Sequence, residues 1–279
     1  MRKIASAIFV ASGVASIASA FAADLPTEKP PPAPIPQPAL PSTWRFEITG
    51  YGWAPSILGN SGLGSFPTLP FYASFLTLLE HLQGGLMGAV VARNDQFILG
   101  LDAIWSKIGG GGTIKDLNNP LFGGRTDLTL TSGIVTAFGG VRIPVGPPNL
   151  ELYGTVGARY FYSGTKLSVT GPLGIISANP SVTKDWIDPV AGATAHYRID
   201  DRWFINALAD LGGWSDSATG QALASVGYNW TPSIATTLGY RVLYTYEKQN
   251  TGVDFNFQPR RFLYQAWMYG PFAGFKYSF

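Results

Sequence analysis

The sequence predicts an all-β chain, an antiparallel transmembrane β-barrel of ten strands, with twelve as the alternative. Three observations predict it. Apolar and polar residues alternate with period two through ten segments of about ten residues or more. The links between those segments are by turns short and long. Only 13% of residues are charged, about half the usual share of a soluble domain, while 14% are aromatic and glycine is abundant.

The N-terminus comes first. Arg2 and Lys3 precede an apolar run from Ile4 through Ile17, and Ala20-Phe21-Ala22 fits the small-x-small cleavage rule. Residues 1–22 are therefore expected to be a signal peptide, with a mature chain beginning at Ala23. No later window is apolar enough over 18 residues to form a membrane-crossing helix. Residues 23–43 include Pro30-Pro31-Pro32 and several further prolines. Proline has no N–H to give to a sheet ladder, so this stretch reads as an extended periplasmic spacer.

The barrel is expected over 44–279. Its candidate strands are about 44–54, 83–93, 96–107, 125–142, 149–165, 182–199, 202–214, 218–231, 233–249 and 263–279. Ile234, Thr236, Leu238, Tyr240, Val242, Tyr244 and Tyr246 share one face of the ninth; Thr237, Arg241, Leu243, Thr245 and Glu247 share the other. Asn94-Asp95, Pro144–Pro148, Asp200-Asp201 and Thr231-Pro232 are short turns, expected in the periplasm. The links around 109–124, 166–181 and 250–261 are longer and expected outside the cell. Residues 55–82 fit either a single outer loop or a loop hiding one more hairpin. Within them Phe75, Leu78, Leu79 and Leu82 have helical spacing, which predicts a short helix beside His81.

Aromatic residues fall at both strand ends on the outward face. Trp44, Tyr197, Trp203, Trp230 and Tyr277 mark one level; Trp105, Tyr162, Tyr244, Tyr246 and Trp267 mark the other. Two such bands are the girdles that fix a barrel's depth. The outward surface is then expected to meet outer-membrane lipid and lipopolysaccharide.

If the alternation holds, Arg45, Glu47, Asp102, Arg142, Glu151, Arg159, Asp188, His196, Arg198, Asp210, Arg241, Glu247 and Lys276 face the lumen. A charge on the lipid face would cost roughly 2–4 kcal/mol at the midplane. Two readings fit these interleaved charges: a paired ion network that fills a narrow lumen, or a charged constriction that selects solutes.

The chemistry-bearing residues are sparse. The absence of cysteine excludes disulfides, thiolate metal sites and cysteine nucleophiles. Two histidines do not make a zinc site, and the Gly109–Gly112 run lacks the Gly-Lys-Ser/Thr ending of a phosphate-binding loop. No catalytic residue, metal or cofactor is assigned, and a net charge of +2 gives no reason to expect a nucleic-acid partner.

Several stretches are similar to a family of bacterial outer-membrane β-barrel proteins, mostly uncharacterised or porin-like. They are Trp44–Thr49 with Trp53, the strands around Asp102, Trp186-Ile187-Asp188-Pro189, Asp201-Arg202-Trp203, Asp210–Gly213, and the ending Gly270–Phe279. The likeness spans most of the chain past the spacer and departs from the family in 55–82, where Gly, Pro and Leu stand. It implies the Gram-negative outer membrane and a barrel fold, with no catalytic site to carry over. Phe279, preceded in alternation by Tyr277, Phe275 and Ala273, looks like the C-terminal signal read by the barrel-insertion machinery. The functions to expect are a porin-like or structural barrel, a surface protein binding partners through its outer loops, or, with less behind it, a barrel enzyme.

Overall fold

The structure, a computed structural model, describes residues 44–64, 68–114, 124–170, 177–179, 181–253 and 259–279. The expected signal peptide and proline-rich spacer lie outside them. The elements are β1 (Arg45–Trp53), β2 (Ser56–Gly64), β3 (Leu69–Ala73), α1 (Phe75–Glu80), β4 (Leu82–Arg93), β5 (Phe97–Ile114), β6 (Gly124–Ile143) and β7 (Leu150–Thr170). They continue as β8 (Ser177–Ala178), β9 (Ser181–Arg198), β10 (Trp203–Gly212), β11 (Ser217–Asn229), β12 (Ile234–Val253) and β13 (Pro259–Ser278).

Ten of these strands close a ring in the order β1-β4-β5-β6-β7-β9-β10-β11-β12-β13, and β13 pairs back onto β1. Every pairing is antiparallel. Where β1 joins β4 to β13 the ring has no free edge, the condition for a sheet to cross a membrane. Strands β2 and β3 form an additional hairpin on the upper part of β13 and do not enlarge the ring. The twelve-strand alternative therefore gives way to ten strands plus a hairpin. Three or four residues join β4 to β5, β9 to β10 and β11 to β12 at one end, called here the lower end. The β6–β7 connection, 144–149, lies at the same end, and the remaining connections at the upper end, among them the short Gly213–Asp216 between β10 and β11. That turn needs positive φ at Gly213 (+146°) and at Ser215 (+59°).

Alternation sorts the side chains by face. Ile48, Leu99, Val156, Ile187, Leu211, Leu238 and Phe275 point outward and are exposed. So large a continuous apolar belt is foreign to a soluble monomer and suited to lipid. Trp44, Trp203, Trp230 and Tyr277 are exposed at the lower edge of the belt, and Trp105 and Trp267 at the upper. The expected helix is present as α1, with Ser74 as N-cap (Thr77 N to Ser74 Oγ, 3.2 Å) and His81 as C-cap.

The ladder of the ring is interrupted beside β1. β1 and β2 run end to end along β13, joined at Ala54-Pro55, where Ala54 N donates to the carbonyl of Pro271 (2.9 Å). Two prolines meet where the ladder is interrupted, as a residue without an N–H allows. On its other side β1 pairs with β4 only as far as Gly50 and Gly88. Above that level β4 is bonded to β5 alone, while β2 is bonded to β3. Helix α1 sits between β3 and β4, at the head of this seam.

Candidate functional site

The inward side chains form three layers. At the lower mouth Glu47 on β1 accepts from Arg93 Nη2 of β4 (2.8 Å) and Lys276 Nζ of β13 (3.2 Å). Glu151 on β7 meets Arg45 Nη2 (2.9 Å) and Arg93 Nε (3.4 Å). Lys276 also lies 4.2 Å from the centre of the Phe204 ring. His196 stands beside them, its Nδ1 2.7 Å from Asn206 Oδ1. Arg198 is exposed at the rim, and Arg142, half-buried, reaches Asp95 only at 3.8 Å.

The middle layer crosses the lumen. Arg159 on β7 is fully buried. It donates through Nε to Thr136 Oγ1 (3.0 Å), through Nη1 to Thr219 Oγ1 (2.9 Å), and through Nη2 to both oxygens of Asp210 on β10 (2.8 Å each). Gln221 on β11 donates to Asp210 Oδ2 (2.7 Å) and accepts from Arg241 Nη2 of β12 (2.7 Å). Arg241 Nη2 also reaches Asp102 Oδ2 on β5 (2.7 Å), and its Nη1 reaches the Tyr51 hydroxyl (3.0 Å), which donates to Asp102 Oδ1 (2.5 Å). Two arginines balance two aspartates, and uncharged Gln221 bridges the pairs with one donor and one acceptor. Between this layer and the lower ions lies a cavity of about 180 Å³, bounded by residues that include Thr49, Phe138, Asn206 and Thr237.

The upper layer is apolar. Trp53, Ile104, Ile134, Phe161, Trp186, Leu243, Phe262 and Met268 are buried together. Phe161 and Trp186 stack with centroids 5.0 Å apart. The Trp53 ring lies 5.3 Å from the Arg241 guanidinium, so one aromatic face closes the apolar layer over the ionic one. At the side of this layer Asp188, fully buried, accepts from the hydroxyl of Ser217, and Glu247 is buried on β12.

The sequence expectation thus meets a subdivided interior. Glu47, Arg93, Glu151 and Lys276 come together below; Asp102, Arg159, Asp210 and Arg241 come together in the middle. Asp188 and Glu247 stand apart from both. Arg93, Tyr51, Gln221 and Thr219 are members that charge counting passed over, and the apolar upper layer was not foreseen. Its signal was in the sequence: Phe161 shares its face with Arg159, and Trp186 with Asp188, so the parity that turned the charges inward turned these rings inward too. His81 stays at the surface, its Nδ1 2.8 Å from the Thr77 carbonyl.

No protein-family model matches this chain, and no curated protein matches its sequence. Among solved structures it is similar to the outer membrane protease OmpT of Escherichia coli. The TM-score is 0.56 at 14% identity, covering 87% of this chain and 99% of that one. It is also similar to the translocator domain of the autotransporter NalP of Neisseria meningitidis (TM-score 0.38, 13% identity, 84% and 88% covered). The attachment invasion locus protein Ail of Yersinia pestis matches as well (TM-score 0.32, 12% identity, 85% and 98% covered). At such identities the likeness speaks of fold alone. Ring closure, the lipid-suited belt and the likeness to the OmpT barrel agree: the chain has the fold of bacterial outer-membrane β-barrels.

Proposed function

We propose that this protein is a non-enzymatic barrel of the Gram-negative outer membrane, porin-like in fold, whose lumen is shut at mid-height in its resting state. The observation that carries the reading is the bonded path from Thr136 through Arg159, Asp210, Gln221 and Arg241 to Asp102 and Tyr51. It joins strands on opposite sides of the ring and leaves Arg159 no exposed surface. A ten-stranded ring has little interior left once its side chains are placed. Bonded guanidinium–carboxylate pairs in a low-dielectric interior do not part readily, because separating them strands a buried charge. Of the two readings of the lumen charges, the network that fills it is the better supported.

A liposome-swelling assay tests this. Vesicles carrying the protein should admit small sugars no faster than empty vesicles. Swelling that falls off with sugar size would contradict the closed lumen and restore the selective constriction.

A further inference from the structure

The upper apolar layer is not solidly filled. It leaves a chamber of about 120 Å³ lined chiefly by Trp53, Ile134, Phe161, Trp186 and Met268, with Phe75 and Leu78 of α1 as its outer wall and the exposed Ser132 at its rim. An apolar void near this size, walled by Leu, Ile and Phe side chains, stays dry and accepts small hydrocarbon ligands.

The chamber borders the seam. Met87, the last inward residue of β4 before pairing with β1 resumes, lies on its wall, and its sulfur faces Trp53 N at 3.3 Å in place of a ladder carbonyl. Above this point β4 has no strand partner on this side among the described residues, because the edge of β2 that continues β1 is taken by β3. Unbonded backbone is costly in hydrocarbon, and a lipid-facing sheet edge is ordinarily absent from membrane barrels. Here the strand across the gap is β3, and α1, a helix with no buried residue, links β3 to β4. Phe75 N holds α1 to β2 through Ser56 Oγ at 3.3 Å.

The height of the seam identifies what lies outside it. Leu86 on β4 is in register with Trp105, and Leu58 on β2 with Trp267, both indoles of the upper girdle. Tyr72 on β3, the partner of Leu58, and Leu86 on β4 flank the seam and point outward, 63% and 75% exposed, and Leu76 and Leu79 of α1 are exposed beside them. The apolar surface is therefore continuous from the lipid-facing belt, past α1, to the chamber. Polar groups interrupt it, the Ser132 and Ser163 hydroxyls among them, and two buried ones, Thr245 Oγ1 and Trp186 Nε1, have no hydrogen-bond partner among the described residues.

We propose that the chamber is a binding site for the acyl chain of a membrane amphiphile, admitted sideways from the outer leaflet through the seam between β3 and β4, with α1, which links them, as its cover. The aliphatic end lies against Phe161, Trp186 and Met268, and an oxygen of the amphiphile is the partner that Thr245 lacks. The inference rests on the membrane placement proposed above, not on the closed lumen.

The test uses the chain folded into phosphatidylethanolamine–phosphatidylglycerol vesicles with a palmitate carrying a diazirine near its tail. Irradiation followed by peptide mass spectrometry locates the adducts. The expected result is adducts on chamber residues Trp53, Phe161 or Met268 as well as on the outward Leu58 and Leu86. Ser132 faces the open chamber, so Ser132→Trp should fill it and cut chamber adducts at least tenfold, leaving outward ones unchanged. The chain has no cysteine, so Ser56→Cys with Phe75→Cys forms a single staple between β2 and α1. Oxidised, it should suppress chamber adducts, and reduction should restore them. Outward adducts without chamber adducts would overturn the site, as would chamber labelling indifferent to Ser132→Trp. Undiminished chamber labelling in the oxidised staple would overturn the lateral route. Absence of outward adducts would sink the membrane placement and the inference with it.

Discussion

The middle and upper layers of the lumen are built from the same ten strands and the same alternation, yet they differ in kind. In the middle, Arg159, Asp210, Gln221, Arg241 and Asp102 satisfy one another through directed bonds of 2.7–2.8 Å. One step up, Trp53, Phe161, Trp186 and Met268 meet by shape alone and leave space between them. The first arrangement has few alternatives, because any displacement strands a charge. The second tolerates repacking, because dispersion and burial are not directional. Rigidity at mid-height and adaptability above it suit a barrel closed to ions and open to an apolar guest.

Removing one member of the middle layer should have the largest effect. Arg159→Met leaves Asp210 buried without its cation and should cost about 3–5 kcal/mol, read as a lower urea midpoint for the protein in vesicles. Replacing both, as Arg159→Met with Asp210→Leu, should recover most of that loss, since an apolar pair of similar volume avoids the desolvation penalty. If the double variant were as unstable as the single one, the pair would be stabilising the barrel outright and the contrast between layers would need another basis. In the upper layer Phe161→Leu nearly conserves volume beside existing space, and should cost under about 1.5 kcal/mol by the same measurement. A larger loss would mean that the apolar layer is packed as tightly as the ionic one.

The smallest effect should come from the rim. Asp200 in the β9–β10 turn accepts from the backbone N–H groups of Trp203 and Arg202 (2.7 Å each), and these bonds hold its exposed carboxyl below the ordinary aspartate range. A depressed value means that its contribution is present near neutrality and lost as pH falls through the carboxylate range. Asp200→Ala should barely move the urea midpoint at neutral pH, and that small difference should vanish in acid. A large shift would place the turn, instead of the lumen layers, in control of stability.

How much of this was legible in the sequence depends on the region. The ring strands were readable because lipid outside and polar groups inside impose one parity on each of them. In β12 the outward Leu238, Tyr240 and Val242 against the inward Thr237 and Arg241 leave one solution. The hairpin was not readable, because Ser56–Gly64 carries no alternation. It becomes a strand because β13 extends beyond the end of β1 and offers a ladder to pair with. The inward charges followed from the cost of exposing them to lipid, but their grouping into layers did not. Arg159 and Asp210 lie on different strands, and their meeting depends on the stagger of β7, β9 and β10 around the ring. The chamber depends on which inward rings meet across the lumen, and the parity of Phe161 and Trp186 turns those rings inward without saying how closely they pack.

The central claim, that the ionic middle layer shuts the lumen, is tested most directly by single-channel recording in a planar bilayer. The protein is compared with its Arg159→Ala, Arg241→Ala variant at matched insertion. The account predicts no discrete conductance steps from the unaltered barrel and cation-favouring steps from the variant, where Asp102 and Asp210 remain without their arginines. Steps of equal size from both would contradict it.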